Sequence, residues 1–200
     1  MSHLKIHPVR LEDDFVRLTP MRLMHVDDLF QAGQYPEIWQ WTSEPYCLTL
    51  ESTKLWVNWC LSTAQEGDLI PFVILDKTSN SVVGSTSFLN IALDHKVLEI
   101  GFTFLTPVAQ KSHVNRRCKY LLLAHAFETL NVNRVAFITN DKNTNSRNAI
   151  LGIGAAYEGT QRNCRIQHNG NIRSSAFFSI IKSEWPAVKL QLKQKIIAQF

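Results

Sequence analysis

The sequence predicts an α+β fold, a mixed but mostly antiparallel central sheet flanked by helices. Three observations carry that prediction. β-rich apolar runs fill 71–91 and 97–105, bounded by turn residues as strands are. A helical run from about Arg116 to Leu130 stands between the strand at 97–105 and another β-rich run at 133–140, forming a strand–helix–strand unit. Near the end, two β-rich runs flank "HNGN", whose Asn169-Gly170 is a strong hairpin signal.

Each element has its own local reason. "DDFVRLTPMRL" gives a short strand around Val16 to Thr19, and a helix begins at Val26, where Asp27 and Asp28 suit the positive helix start. "EIWQWTSEPYCLT" is irregular. "LESTKLWVNWCLSTAQEG" is a helix with Leu55, Trp59 and Ser62 on one side, Trp56 and Cys60 beside them, and Gly67 as its stop. Residues 71–91 form a hairpin about "KTSN". Along "VLEIGFTFLTP", simple alternation points Leu98, Ile100, Phe102 and Phe104 one way, and Glu99, Gly101, Thr103 and Leu105 the other, until Pro107 ends the strand. "NTNSRNAILGIGA" is a short helix ending near Gly154. "AAYEGTQRNCRIQ" and "IRSSAFFSII" form the closing hairpin, and a helix or tail covers about 183–200.

Composition narrows the function. With 200 residues, 45% hydrophobic and 19% charged, the chain can bury a substantial core, and its length favours a single domain over 1–200. No apolar run is long enough to span a bilayer, and "MSHLKIHPVRLEDDF" lacks a signal-peptide core, so a soluble, cytoplasmic protein without membrane partners is expected. Cys47, Cys60, Cys118 and Cys164 are widely spaced and have no zinc-type partners, so they read as reduced thiols and no metal is expected. A net charge of +4 is too diffuse for a nucleic-acid footprint. The histidines His25, His95, His125 and His168 are scattered, and His125 reads as a hydrogen-bonded core residue.

The most distinctive stretch is "QKSHVNRRCKYLLL". A polar basic loop runs straight into an apolar helix, with Asn115 as a candidate N-cap. Amides of a helix start lack internal partners and carry partial positive charge. Together with Lys111, Arg116 and Arg117 they make a phosphate cradle, or else an ordinary solvated surface.

The chain resembles the GCN5-related N-acetyltransferases, in particular the branch of the ribosomal-protein alanine acetyltransferases. The likeness runs from "VRLTPM" to "SEWPAVK" and is densest in "LEIGFTFLTPVAQKSHVN", "KYLLLAHAFETL", "NTNSRNAILGIGA" and "SSAFFSIIKSEWPAVK". The resemblance implies acetyl-CoA as donor cosubstrate, a primary amine as acceptor, and a splayed strand pair as the CoA site. On it, Gln110, Lys111, Ser112, His113, Val114 and Asn115 match the family's Gln/Arg-x-x-Gly-x-Gly/Ala pyrophosphate loop, with His113 and Asn115 in place of the small residues. His and Asn tolerate positive φ, so the loop is expected to survive the change. Backbone groups at Thr103, Phe104 and Leu105 would pair with the pantetheine arm.

Acetyl transfer also needs a base, oxyanion stabilisation and an acid for the leaving thiolate. Glu99 is the candidate base; the plain alternative is a structural carboxylate paired with Arg or Lys. Asn143 and Ser146 open a helix and can simply cap it. The resemblance implies that Asn143 holds CoA and that Ser146 serves as general acid. Where many relatives have Tyr, this chain has Phe178. Trp39, Trp41 and Tyr46 form a candidate acceptor lip or else close a core. The acceptor class, protein N-terminus or small amine, stays open, as do monomer or homodimer and the alternative of a non-catalytic CoA-binding or regulatory module.

Overall fold

A computed structural model describes residues 7–198. Eight strands form one sheet: β1 (Leu11–Glu12), β2 (Val16–Pro20), β3 (Leu69–Asp76), β4 (Ser81–Ala92), β5 (Val97–Leu105), β6 (Arg134–Asn140), β7 (Ala156–Ile166) and β8 (Ile172–Ile181). Their order is β1-β2-β3-β4-β5-β6-β8-β7. Every neighbouring pair is antiparallel except β5–β6. The helices are α1 (Val26–Gly33), α2 (Leu50–Glu66), α3 (His113–Ala124), α4 (Thr144–Gly152) and α5 (Trp185–Ile197). No helix among the described residues is long and apolar enough to cross a membrane.

Strand periodicity sorts the core into two layers. Ile70, Phe72 and Ile74 of β3 face α3 and α5, joining Phe88, Leu98, Leu122, Leu123 and Leu192. Leu69 and Val73 face α1 and α2, joining Leu29, Trp56, Val57 and Cys60. On α2 the buried stripe is Thr53, Trp56, Val57 and Cys60, whereas Leu55 and Trp59 are 66% and 46% exposed. That helix is framed as a capping box. Thr49 Oγ1 accepts from the Ser52 amide at 3.0 Å, Ser52 Oγ accepts from the Thr49 amide at 3.1 Å, and Gly67 closes the helix at φ 92°.

Three features depart from the sequence reading. The two-residue β1 is too short to show a period. The helix after the basic loop starts at His113 rather than Arg116, and its end loosens into a π-helical turn, His125–Thr129. There His125 stacks on Phe88 at 6.2 Å, and burial lowers its pKa.

The third departure shapes the site. Ser87 pairs with Gly101 and Ser85 with Phe104, so β5 carries one extra residue, a β-bulge at Gly101–Phe102. Phe102 sits at φ 46°. Alternation therefore reverses. Leu98, Ile100 and Leu105 face α3, and Thr103 bonds to α3; Phe102 and Phe104 face α1 and α2. Thr103 and Glu99, expected on one face, lie on opposite faces.

Gly84 anchors this geometry from β4. It has φ 157°, and a Cβ there would lie 2.0 Å from the Phe104 carbonyl oxygen. Gly84→Ala is expected to destabilise the fold by roughly 1–3 kcal/mol, because backbone must move to relieve the clash. Urea unfolding at unchanged slope checks this. A loss under about 0.5 kcal/mol would mean that the β4–β5 bulge relaxes freely.

Candidate active site

β5 and β6 begin as a parallel pair and then part. They are in register only at Val97↔Arg134, Leu98↔Val135 and Glu99↔Ala136. Past the bulge, Phe102 to Leu105 have no partner on β6, although β6 continues to Asn140 on β8. Such an open strand edge offers N–H and C=O groups to an extended ligand. The chain leaves β5 through a turn at Pro107–Ala109 and enters α3 at that open end.

The loop between them is held firmly. Gln110 Nε2 donates to the Leu105 carbonyl at 3.1 Å. Lys111 is exposed, with φ 57°. Ser112, not Asn115, is the N-cap: its Oγ accepts from the Val114 amide at 3.2 Å and donates to the Ala109 carbonyl at 2.7 Å. His113 and Asn115 thus lie in the first helical turn, and the only positive φ of the loop falls on Lys111. Replacing small residues at 113 and 115 costs bulk, not backbone strain. His113 contacts the Phe15 ring edge-on and Asp76 at 3.8 Å, and Val114 is core.

The expected cationic fringe is smaller than it looks in sequence. Arg117 is 7% exposed, pairs with Asp13 at 2.7 Å and covers the Phe15 ring. Arg116 donates to the Lys195 carbonyl. Lys111 is left as an exposed cation beside the helix start.

Lys119 is the functional candidate that sequence reasoning missed. It is 6% exposed on α3, and its ammonium donates to Thr103 Oγ1 at 2.7 Å and Thr86 Oγ1 at 3.2 Å, while the two hydroxyls lie 2.9 Å apart. Among the described residues it forms no ion pair. Burial lowers its pKa to about 8. The Thr103 hydroxyl, the exposed member of the pair, donates in turn to the Gly101 carbonyl at 3.4 Å. The signal was present: Lys119 shares a helix face with Leu122, Leu123 and Ala126.

Glu99 sits on the other face, 7% exposed. Asn90 Nδ2 donates to Glu99 Oε2 at 2.7 Å. The other oxygen leans over Gly101, where a Cβ would come within 3.2 Å of it. Among the described residues no cation lies within ion-pair distance of it. Burial raises its pKa, partly offset by the Asn90 bond and the fields of Arg165 and Arg173. On the same side of the sheet, half-buried Tyr46 stacks on Trp56 at 5.6 Å, and Phe102 is edge-on to Tyr46 and Trp59. Trp39 belongs to the core beneath: it is 2% exposed, with Nε1 bonded to the Gly33 carbonyl. Trp41 lies in the irregular segment, where its carbonyl accepts from Arg173.

On α4, Asn143 is the N-cap. Its Oδ1 accepts from the Ser146 amide at 3.0 Å, while Ser146 Oγ makes no hydrogen bond within the described residues. Phe178 is core, 1% exposed. No group of three or more His, Cys, Asp and Glu among the described residues is placed to hold a metal ion. All four cysteines are free thiols.

A sheet that opens between two parallel strands, with a helix start at the mouth and a buried carboxylate beside it, defines the acetyltransferase class of α+β folds. The chain belongs to the GNAT family: the model of the acetyltransferase (GNAT) domain matches residues 16–156. A Bacillus subtilis (strain 168) protein described as "Putative ribosomal N-acetyltransferase YdaF" is 30% identical over 109 residues. That match spans 54% of this chain and only 58% of the relative. A GCN5-related N-acetyltransferase from Brucella melitensis superposes with TM-score 0.88 at 26% identity, covering 96% of this chain and 87% of that one. Mycobacterium smegmatis RimJ, solved with CoA-disulfide, shares the fold with TM-score 0.80 at 18% identity over 95% and 97% of the two chains.

The buried ammonium gives a stability prediction. Between about pH 8 and 10.5 the unfolded chain holds a proton that folded Lys119 has released, so stability rises with pH across that window. Below about 8 the full cost is present, on the order of 3 kcal/mol from the shift. Lys119→Met should therefore be more stable at neutral pH and lack the alkaline rise. Denaturant titrations at several pH values test this; a variant that is less stable at pH 7 would contradict it.

Proposed function

We propose that the protein moves an acetyl group from acetyl-CoA to a primary amine. The observation that carries this reading is the parting of β5 from β6 at the N-terminus of α3. The residues there fit the donor. The free edge of Phe102 to Leu105 suits the pantetheine amides, and the exposed Thr103 hydroxyl, backed by Lys119, adds a polar side chain there. The unpartnered first-turn amide of Asn115, the Lys111 side chain and the backbone at Lys111 and Ser112 suit the diphosphate. Asn143 sits across the gap at the start of α4. Acetyl-CoA also appears in the family at large: an acetyltransferase of the same fold, MccE, was solved with acetyl-CoA and AMP.

The chemistry divides between the two faces. Bound acetyl-CoA supplies the thioester carbonyl that the amine attacks, and it departs as the free thiol. Glu99, desolvated and only weakly neutralised, accepts the proton that the amine must lose, directly or through one water. β5 amides beside the bulge stabilise the developing oxyanion. Ser146 Oγ, unengaged at the first turn of α4, returns a proton to the leaving sulfur. Phe178 supplies no hydroxyl, so the acid role rests on Ser146.

The sign of the pH effect follows from burial. Glu99 has a raised pKa, so the basic form grows in only above the ordinary carboxylate range, and turnover should show an acidic limb there. Glu99→Gln should lose that limb, fall at least about tenfold near neutral pH, and recover partly at higher pH as free amine accumulates. Ser146→Ala should lower kcat with KM for acetyl-CoA nearly unchanged. Acetyl-CoA at a hundredfold excess over its Kd should stabilise the fold by roughly 2.7 kcal/mol. Stabilisation without turnover on any amine would favour a CoA-binding module, and no stabilisation would remove the donor site altogether.

A further inference from the structure

The hairpin β7–β8 presents a feature that acetyl-CoA binding does not use. Arg165 and Arg173 are direct cross-strand partners. Like charges placed opposite one another destabilise a sheet. Other strand or core arginines have carboxylate partners: Arg17 pairs with Glu12, Arg117 with Asp13, and Arg134 with Glu158. Arg165 and Arg173 form no ion pair among the described residues. Asp141 acts on Arg173 only as a distant field.

Arg173 is held in place. Arg173 Nη1 donates to the Trp41 carbonyl at 3.3 Å, and the nearby Gln167 Nε2 donates to the Gln40 carbonyl at 3.0 Å. These two bonds tie the hairpin to the segment that carries Tyr46. Arg173 Nε is buried without a hydrogen-bond partner. A guanidinium with a buried, unsatisfied N–H is poised for an acceptor oxygen. Burial and the neighbouring Arg165 both lower the Arg173 pKa, as expected for two cations held without an anion. Burial raises the pKa values of Glu99 and Tyr46, and the fields of both arginines partly oppose that rise, so the pair acts on the same α1–α2 side of the sheet.

We propose that the acceptor is a primary amine that also carries an oxyanion, a carboxylate or a phosphate, which Arg165 and Arg173 bind while the amine meets Glu99. The inference rests on the acetyl-transfer reading and names the substrate class for it. The acceptor is then a zwitterion laid across the α1–α2 side of the sheet. Its ammonium end faces the buried carboxylate, its body lies on Tyr46 and Phe102, and its anionic end closes the arginine pair. A bidentate contact satisfies both the Nε and an Nη group of one guanidinium. The arrangement selects by pairing charges at both ends, and a neutral amine leaves the arginine pair uncompensated.

Matched acceptors test this. β-Alanine is compared with propylamine, and O-phosphoethanolamine with ethanolamine, by free-thiol release from acetyl-CoA. The anionic member of at least one pair should have a kcat/KM at least about tenfold higher, carried by KM, and the better pair distinguishes carboxylate from phosphate. Arg165→Gln, an exposed position with no hydrogen bond to lose, should erase that preference, and Arg165→Glu should reverse it. Equal use of anionic and neutral members, or a variant that scales both alike, would overturn the proposal. If no amine is acetylated, thermal shifts with CoA plus each anionic probe decide the matter. A shift lost in Arg165→Gln keeps the anion site while the transfer reading falls; no shift ends both.

Discussion

One extra residue in β5 is the constraint on which the rest depends. An unbroken β5 would keep Glu99 and Thr103 on one face and could stay in register with β6. The bulge at Gly101–Phe102 turns the second half of the strand over. It buries Phe102 and Phe104 against α1 and α2 and delivers Thr103 to the α3 side. A bulge also bends and overtwists its strand, consistent with the loss of pairing to β6 beyond Glu99. Gly84 and Gly101 accommodate it from both strands: a side chain at either would strike the Phe104 carbonyl, or Leu89 and Glu99.

The sheet itself keeps two buried charges of opposite sign on opposite faces. Glu99 stays on the α1–α2 side with a raised pKa; Lys119 stays on the α3 side with a lowered one. Joined, they would form a buried ion pair and neutralise one another's chemistry. Kept apart, each is destabilising, and each faces a different part of the proposed reaction: the amine on one side, the donor seam on the other. Local cost concentrated at one strand is the pattern expected of a functional site.

Most of the fold was legible because its elements are long and their periods clean. The Gly67 stop of α2, the 71–91 hairpin and the Asn169-Gly170 turn are local chemistry, readable residue by residue. That a basic loop runs straight into a helix after β5 was legible as well, although the cap is Ser112 rather than Asn115 and α3 opens at His113 rather than Arg116. What alternation could not reveal was the bulge, because one inserted residue leaves the composition of a strand unchanged while inverting everything after it. The misplacement of Thr103 beside Glu99 follows from that alone. Arg117 looked like a phosphate ligand because its partner, Asp13, lies more than a hundred residues away along the chain. Trp39 looked like lip because burial depends on the α1–α2 packing, which aromatic content does not encode. Lys119 and the Arg165–Arg173 pair were within reach: one sits on an apolar helix face, the other is found by counting outward from the turn.

Hydrogen exchange along β5 tests the central claim most directly. Amides from Phe102 to Leu105, the half of β5 that has β4 but no β6 as a partner, should exchange faster than those from Val97 to Glu99, the half paired on both sides, when the protein is alone. Acetyl-CoA should slow exchange in the former segment and in the loop from Lys111 to Asn115, leaving the β3–β4 hairpin unchanged. If residues 102–105 are already as protected as the paired half, or if acetyl-CoA leaves them untouched while it binds elsewhere, the bulge does not open a donor seam and the account fails.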